Sequence, residues 1–208
     1  MTSSATVFHQ TSQEYLTRLS KIPYLDRANF LGADVEGSSL CIEMYGRPYW
    51  ISAEGVFNQR REVCSFSKQV VLLNYILRCP EALPRKGRWI AWREVPGSGP
   101  LAVYMGANAV KPIECTFSGD VKKLQEASRL LGGKEDSQDR SSDFSATFKL
   151  LPRISLHLKF NDGDEEFPAS CTLLFTEDVS LWLDTESLAI LTVLFVATLC
   201  GKGDPAHP

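Results

Sequence analysis

The sequence predicts an α+β fold: antiparallel sheet with helices packed on one side, in a single domain. Three observations carry this. Leu40, Ile42 and Met44 alternate with polar neighbours, as do Leu156, Leu158 and Phe160, which is the period of a half-buried strand. Leu72, Leu73, Ile76 and Leu77 instead recur at helical spacing. A length of 208 residues, 44% apolar and 23% charged, is that of one ordinary globular domain with a real core. The domain is placed at residues 1–200, and "GKGDPAHP" at 201–208 is expected to be a disordered tail.

Taken in order, "TSQEYLTRLSKI" opens a first helix, with Thr11 and Glu14 at capping-box spacing and Tyr15, Leu16 and Leu19 on the apolar face. "SSLCIEMYG" and "RPYWISAEG" are two antiparallel strands joined near Gly46. "SFSKQVVLLNYILRCP" is a helix that Pro80 stops. "GRWIAWREV" has the aromatic and β-branched character of a strand, and "PGSGP" closes it as a turn. "SGDVKKLQEASRLLGG" is a helix presenting Val121, Leu124 and Leu131 inward and ending at Gly132. "KEDSQDRSSD" is a long polar surface loop, followed by a strand pair, "ISLHLKF" and "ASCTLLF". The last helix, "DTESLAILTVLFVATLC", takes Asp184 as N-cap and Glu186 in its first turn.

Several chemistries have no signature here. A net charge of −3 with no basic stripe argues against nucleic acid. The longest apolar stretch, Leu188–Cys200, falls short of the roughly 20 residues that cross a bilayer. The start lacks the basic and apolar regions of an export signal, so the six cysteines are expected in a reducing cytoplasm. They form no C-x-x-C pair and read as small buried apolar side chains. Phosphate-loop, dinucleotide, nucleophile-elbow and H-E-x-x-H patterns are absent. Only His157 falls within a strand, on the face of Lys159, so a serine or cysteine nucleophile has one histidine to work with. Cys64, just ahead of a helix, is the best candidate for a reactive thiol, weighed against an inert buried one.

The richest stretch is "NDGDEEFP", with Asp162, Asp164, Glu165 and Glu166 close together. Converging carboxylates hold hard cations or perform acid–base chemistry when burial splits their pKa values. The same residues are strong turn formers, because Asn and Asp bond the local backbone and Gly supplies positive φ. Trp89, Trp92 and Tyr104 are candidates to line a pocket for a planar ligand, or else to pack as aromatic core.

"LPRISL", "GDEEFPAS", "LLF" and "WLDTESLAIL", with "LLNYIL", "GRWIAWREVPG" and "LLGG" upstream, resemble an uncharacterised bacterial and archaeal family, domain of unknown function 3786. The resemblance runs from about Tyr15 to Leu199. One departure is Thr176, where such proteins often carry an acid; Glu177 and Asp178 follow it. The resemblance implies an accessory or binding domain rather than an enzyme, linked to anaerobic corrinoid, tetrapyrrole or iron–sulfur redox metabolism, with a corrinoid or iron–sulfur protein as partner. Its signature raises Arg153, Asp164, Glu165 and Glu166 as ligand-binding candidates beside Trp89 and Trp92, with Arg153 also able to pair a glutamate across the hairpin. Two alternatives stand: a metal-dependent enzyme built on Asp162–Glu166, and a protein-interaction module.

Overall fold

The computed structural model describes residues 3–85 and 87–202, with side chains from residue 11 onward. Helix α1, Ser3–Leu19, starts well before Thr11. Thr11 is therefore an interior helical residue and not a cap, because no Gly or Pro upstream stops the helix from propagating. A short helix α2, Ala28–Leu31, ends at Gly32 with φ +68°.

The first sheet is an antiparallel meander of β1 (Asp34–Glu36), β2 (Ser39–Met44), β3 (Arg47–Ser52) and β4 (Gly55–Phe57). Tyr45 and Gly46 form the tight β2–β3 turn, both with positive φ (42° and 74°), which matches the strand twist. Leu40, Ile42, Met44 and Ile51 are fully buried on the inner face. Helix α3, Phe66–Leu77, is buried on all sides from Val70 to Ile76, more than the single apolar face its spacing predicts. It lies between α1, the first sheet and the last helix.

Strand β5 is short, Trp89–Ala91; the chain turns into a 3-10 helix at Trp92–Glu94. Besides several short elements, two longer stretches lie outside the sequence expectations. One is a continuous helical run of α4 (Ala102–Met105), a π-turn (Gly106–Val110) and α5 (Lys111–Phe117). The other is a strand inside the second sheet, Phe144–Leu151. Helix α6, Val121–Leu130, is capped by Asp120, whose carboxylate accepts from Lys123 N, and closed by Gly132 and Gly133. Gly133 has no room for a side chain: a Cβ would stand 2.6 Å from the Phe148 ring.

The second sheet has the order β5–β9–β8–β7–β6, all antiparallel, with β6 (Lys134–Glu135), β7 (Phe144–Leu151), β8 (Ile154–Asn161) and β9 (Ser170–Thr176). The polar run 134–143 thus begins as an edge strand before it becomes a loop. After the short α7, Val179–Trp182, comes α8, Thr185–Leu199. Asp184 caps α8 as expected, accepting from Ser187 N at 2.7 Å. Gly201 and Lys202 belong to its end and not to a loose tail: Lys202 N donates to Ala197 O and Gly201 N to Thr198 O. Residues 203–208 lie outside the described ones.

The inner faces of both sheets and the helices close on one continuous apolar cluster. The sheets join where Tyr45 N donates to Leu150 O and the Tyr45 and Phe148 rings pack on Phe195 of α8. The helices occupy one side of the second sheet. Its other side bears Thr147, Lys149, Ser155, His157 and Lys159 and, among the described residues, is not packed over by the long helices.

Candidate functional site

The acidic segment connects β8 to β9, and its two aspartates are spent on backbone. Asp162 Oδ1 accepts from Gly119 N at 2.7 Å and from Gly163 N at 2.8 Å, tying the α5–α6 corner to the sheet. Asp162 N in turn donates to Asp143 Oδ2. Asp164 Oδ1 accepts from Glu166 N and Phe167 N, and these bonds hold its carboxyl below the usual aspartate range. Gly163 is packed so that a Cβ would come within 3.0 Å of Ala169 N. Glu165 and Glu166 are exposed, and their carboxylates make no hydrogen bond or ion pair with another described residue. Among the described residues, no three His, Cys, Asp or Glu side chains are grouped to hold a metal ion.

Arg153 stands at the other end of β8, with the eight strand residues between it and Asp162, or roughly 30 Å along an extended chain. A pair with Glu165 or Glu166 is therefore out of reach. Its guanidinium instead donates from Nε to Phe30 O and from Nη2 to Asn29 O, both 2.8 Å, on carbonyls at the end of α2. Gly32 permits this approach, for a Cβ there would meet Pro152 Cβ at 3.0 Å.

Trp89 and Trp92 also part company. Trp89 lies over His157 on the outer face, with ring centroids 5.3 Å apart. Trp92 packs edge-on against Phe175, a fully buried inner-face residue. Tyr104 is exposed on α4. Trp89 and Trp92 thus serve different faces of the sheet, covering His157 and packing on Phe175 respectively. Cys64 is buried in the core ahead of α3, with its own carbonyl held by Gln69 Nε2 at 2.8 Å. Burial pushes the Cys171 thiol up from its ordinary value.

What the structure does bring together is a cleft of about 420 Å³ on the uncovered face of the second sheet. Lys134 of β6, Thr147 and Lys149 of β7, Arg153 at the β7–β8 turn and Ser155 of β8 line its floor and wall. Leu83, Pro84 and Pro152 give it an apolar rim, and Asp178 and Trp182 of the α7 segment close one side. The three cations face one carboxylate, and Asp178 Oδ2 is already engaged by Trp182 Nε1 at 3.2 Å. Lys134 and Lys149 make no ion pair with a described residue, so their charge is available to the cleft. Arg153, whose Nη1 has no protein partner among the described residues, is the one sequence candidate that lies in the cleft. The other lining residues come from segments between 83 and 182, and no linear motif links them.

The architecture and the cleft define an α+β domain with a polar, cation-rich depression on the uncovered side of an antiparallel sheet. The chain belongs to the family described as Domain of unknown function (DUF3786), whose profile matches residues 24–198. Neither the curated proteins nor the solved structures contain a significant match to it. No helix among the described residues is long and apolar enough to cross a membrane.

Proposed function

We propose that this chain is a binding domain whose ligand is a small anion, carboxylate or phosphate, taken in the cleft of Lys134, Lys149 and Arg153. One observation carries the reading: three cationic side chains from separate strands and a turn line one cavity against a single carboxylate. Thr147 and Ser155 add hydroxyl groups to the same surface, as recognition of an oxyanion requires. The role of Arg153 is then double, since the clamp on α2 also fixes the guanidinium in place. Asp164, Glu165, Glu166, Trp89 and Trp92 have no part in this cleft.

A reducing cytoplasmic setting fits the same proposal, supported by six cysteines that are not drawn into disulfides. The link to corrinoid, tetrapyrrole or iron–sulfur chemistry keeps the support of the family resemblance alone. Calorimetric titration with sulfate, phosphate and simple dicarboxylates tests the cleft. Binding is expected, with Lys149→Glu weakening it at least tenfold while leaving the melting temperature within a degree or so, as befits an exposed strand residue. Equal affinity in Lys149→Glu would remove the cleft from consideration. Absorbance of an added corrinoid, unchanged on mixing, would remove the corrinoid link without touching the anion reading.

A further inference from the structure

Thr147, in the cleft, is half of a hydrogen bond whose other half is buried. Its Oγ1 stands 2.9 Å from His157 Nδ1, across the register pair of β7 and β8. His157 is only 6% exposed, beneath the Trp89 ring. A neutral imidazole with a bare Nδ1 accepts the Thr147 hydroxyl proton, so the hydroxyl has only lone pairs left for the cleft. An imidazolium donates Nδ1–H to Thr147 Oγ1 instead, and the hydroxyl proton is released to point elsewhere. Protonation of one ring therefore supplies both a positive charge and a new donor beside the same cavity. Both changes favour an anion.

The surroundings allow this ring to change state. Lys159, two residues along the same strand, opposes the charged form, while Asp136 and Asp139 of the β6–β7 connection favour it. Lys134 is the cross-strand neighbour of Thr147 on β6. From β9 and β5 the neighbours are Leu174 and Trp89, which carry no charge. Burial outweighs the rest and holds the His157 pKa below its usual range, so the ring is neutral in the empty cleft at neutral pH.

Resting on the anion-binding reading above, we propose that His157 acts through Thr147 as a proton-linked gate on the cleft. An anion binds with uptake of one proton by His157, and binds more tightly as the medium becomes acidic. His157 here is a positioning residue: it touches Thr147, and Thr147 meets the ligand. The linkage is reciprocal, so an occupied cleft raises the affinity of His157 for its proton by the same factor.

Sulfate is the probe, because its own charge is constant over the range used. Its affinity is measured by calorimetry from about pH 7.5 to about pH 5.5, and the His157 ring is followed by NMR with and without saturating sulfate. The expected result is roughly five- to tenfold tighter binding at the acid end, with a matching rise in the His157 titration midpoint. His157→Gln should lose this pH dependence, and Asp178→Asn should keep it, which separates the imidazole from the cleft's own carboxylate. Sulfate that binds with equal affinity across the range, or that leaves the His157 midpoint unmoved, overturns the gate and leaves the anion site standing. No sulfate binding at any pH overturns both. The NMR titration on the parent protein decides the matter even where His157→Gln fails to fold.

Discussion

Asp184 serves two neighbours with one carboxylate. Oδ1 accepts from Ser187 N at the start of α8, and Oδ2 accepts from the Asn74 side chain at 2.7 Å, inside α3. The cap thus joins two buried helices as well as ending one. Asp184→Ala should cost about 2–3 kcal/mol, more than an ordinary cap, because it also strands a buried amide. Urea denaturation measures this, and a loss under about 0.5 kcal/mol would show that the Asn74 bond contributes nothing. This residue was legible from its place before an apolar run, since a cap is a local feature. Arg153 was legible as notable but not as to its partner: the carbonyls of Asn29 and Phe30 are more than a hundred positions away in the chain.

At the scale of elements, legibility follows how much of an element's stability is local. Strands β2 and β3 and helix α8 have regular patterns and clear ends, and they form where the sequence places them. The α4–α5 run does not read as a helix, with Gly106 and Pro112 inside it. Its buried residues are Met105, Ala109, Ile113 and Phe117, spaced by four, and the wider π-turn helps keep that stripe on one side. Packing overrides propensity there. Strand β7 carries alternation in Phe144, Ala146, Phe148 and Leu150, but follows directly on a polar run that hides its start. Helix α8 is buried nearly all round, and Phe195 is where rings from both sheets converge. Phe195→Ala should cost about 3–5 kcal/mol by denaturant unfolding, unless the Tyr45 and Phe148 rings collapse into the space.

For the whole molecule, the two sheets share one apolar cluster and are also tied by specific bonds. Tyr45 N donates to Leu150 O, and, three residues on, Arg153 fastens α2 to the β7–β8 turn. Arg153→Ala should lower stability by about 1–2 kcal/mol and speed amide exchange in α2 and β1 ahead of β8 and β9. Uniform exchange across both sheets would instead mean that the clamp has no regional role. The cleft itself was not legible in the sequence, since it is made by register: Lys134, Thr147 and His157 become neighbours only when β6, β7 and β8 pair as they do.

That strand order has one more consequence. Two open sheets expose four borders, and a border is a template on which a second chain can add itself. Here the outermost strands are β1, β4, β5 and β6, with three, three, three and two residues. Of the longer strands, β8 is paired along both sides, whereas β6 covers β7 only at Ala146 and Thr147 and β5 covers β9 only from Leu174 to Thr176; β1 carries Asp34 and Glu36 at its border. The outermost strands are too short to guide intermolecular sheet growth, so a second chain would have to register on the parts of β7 and β9 that reach past β6 and β5.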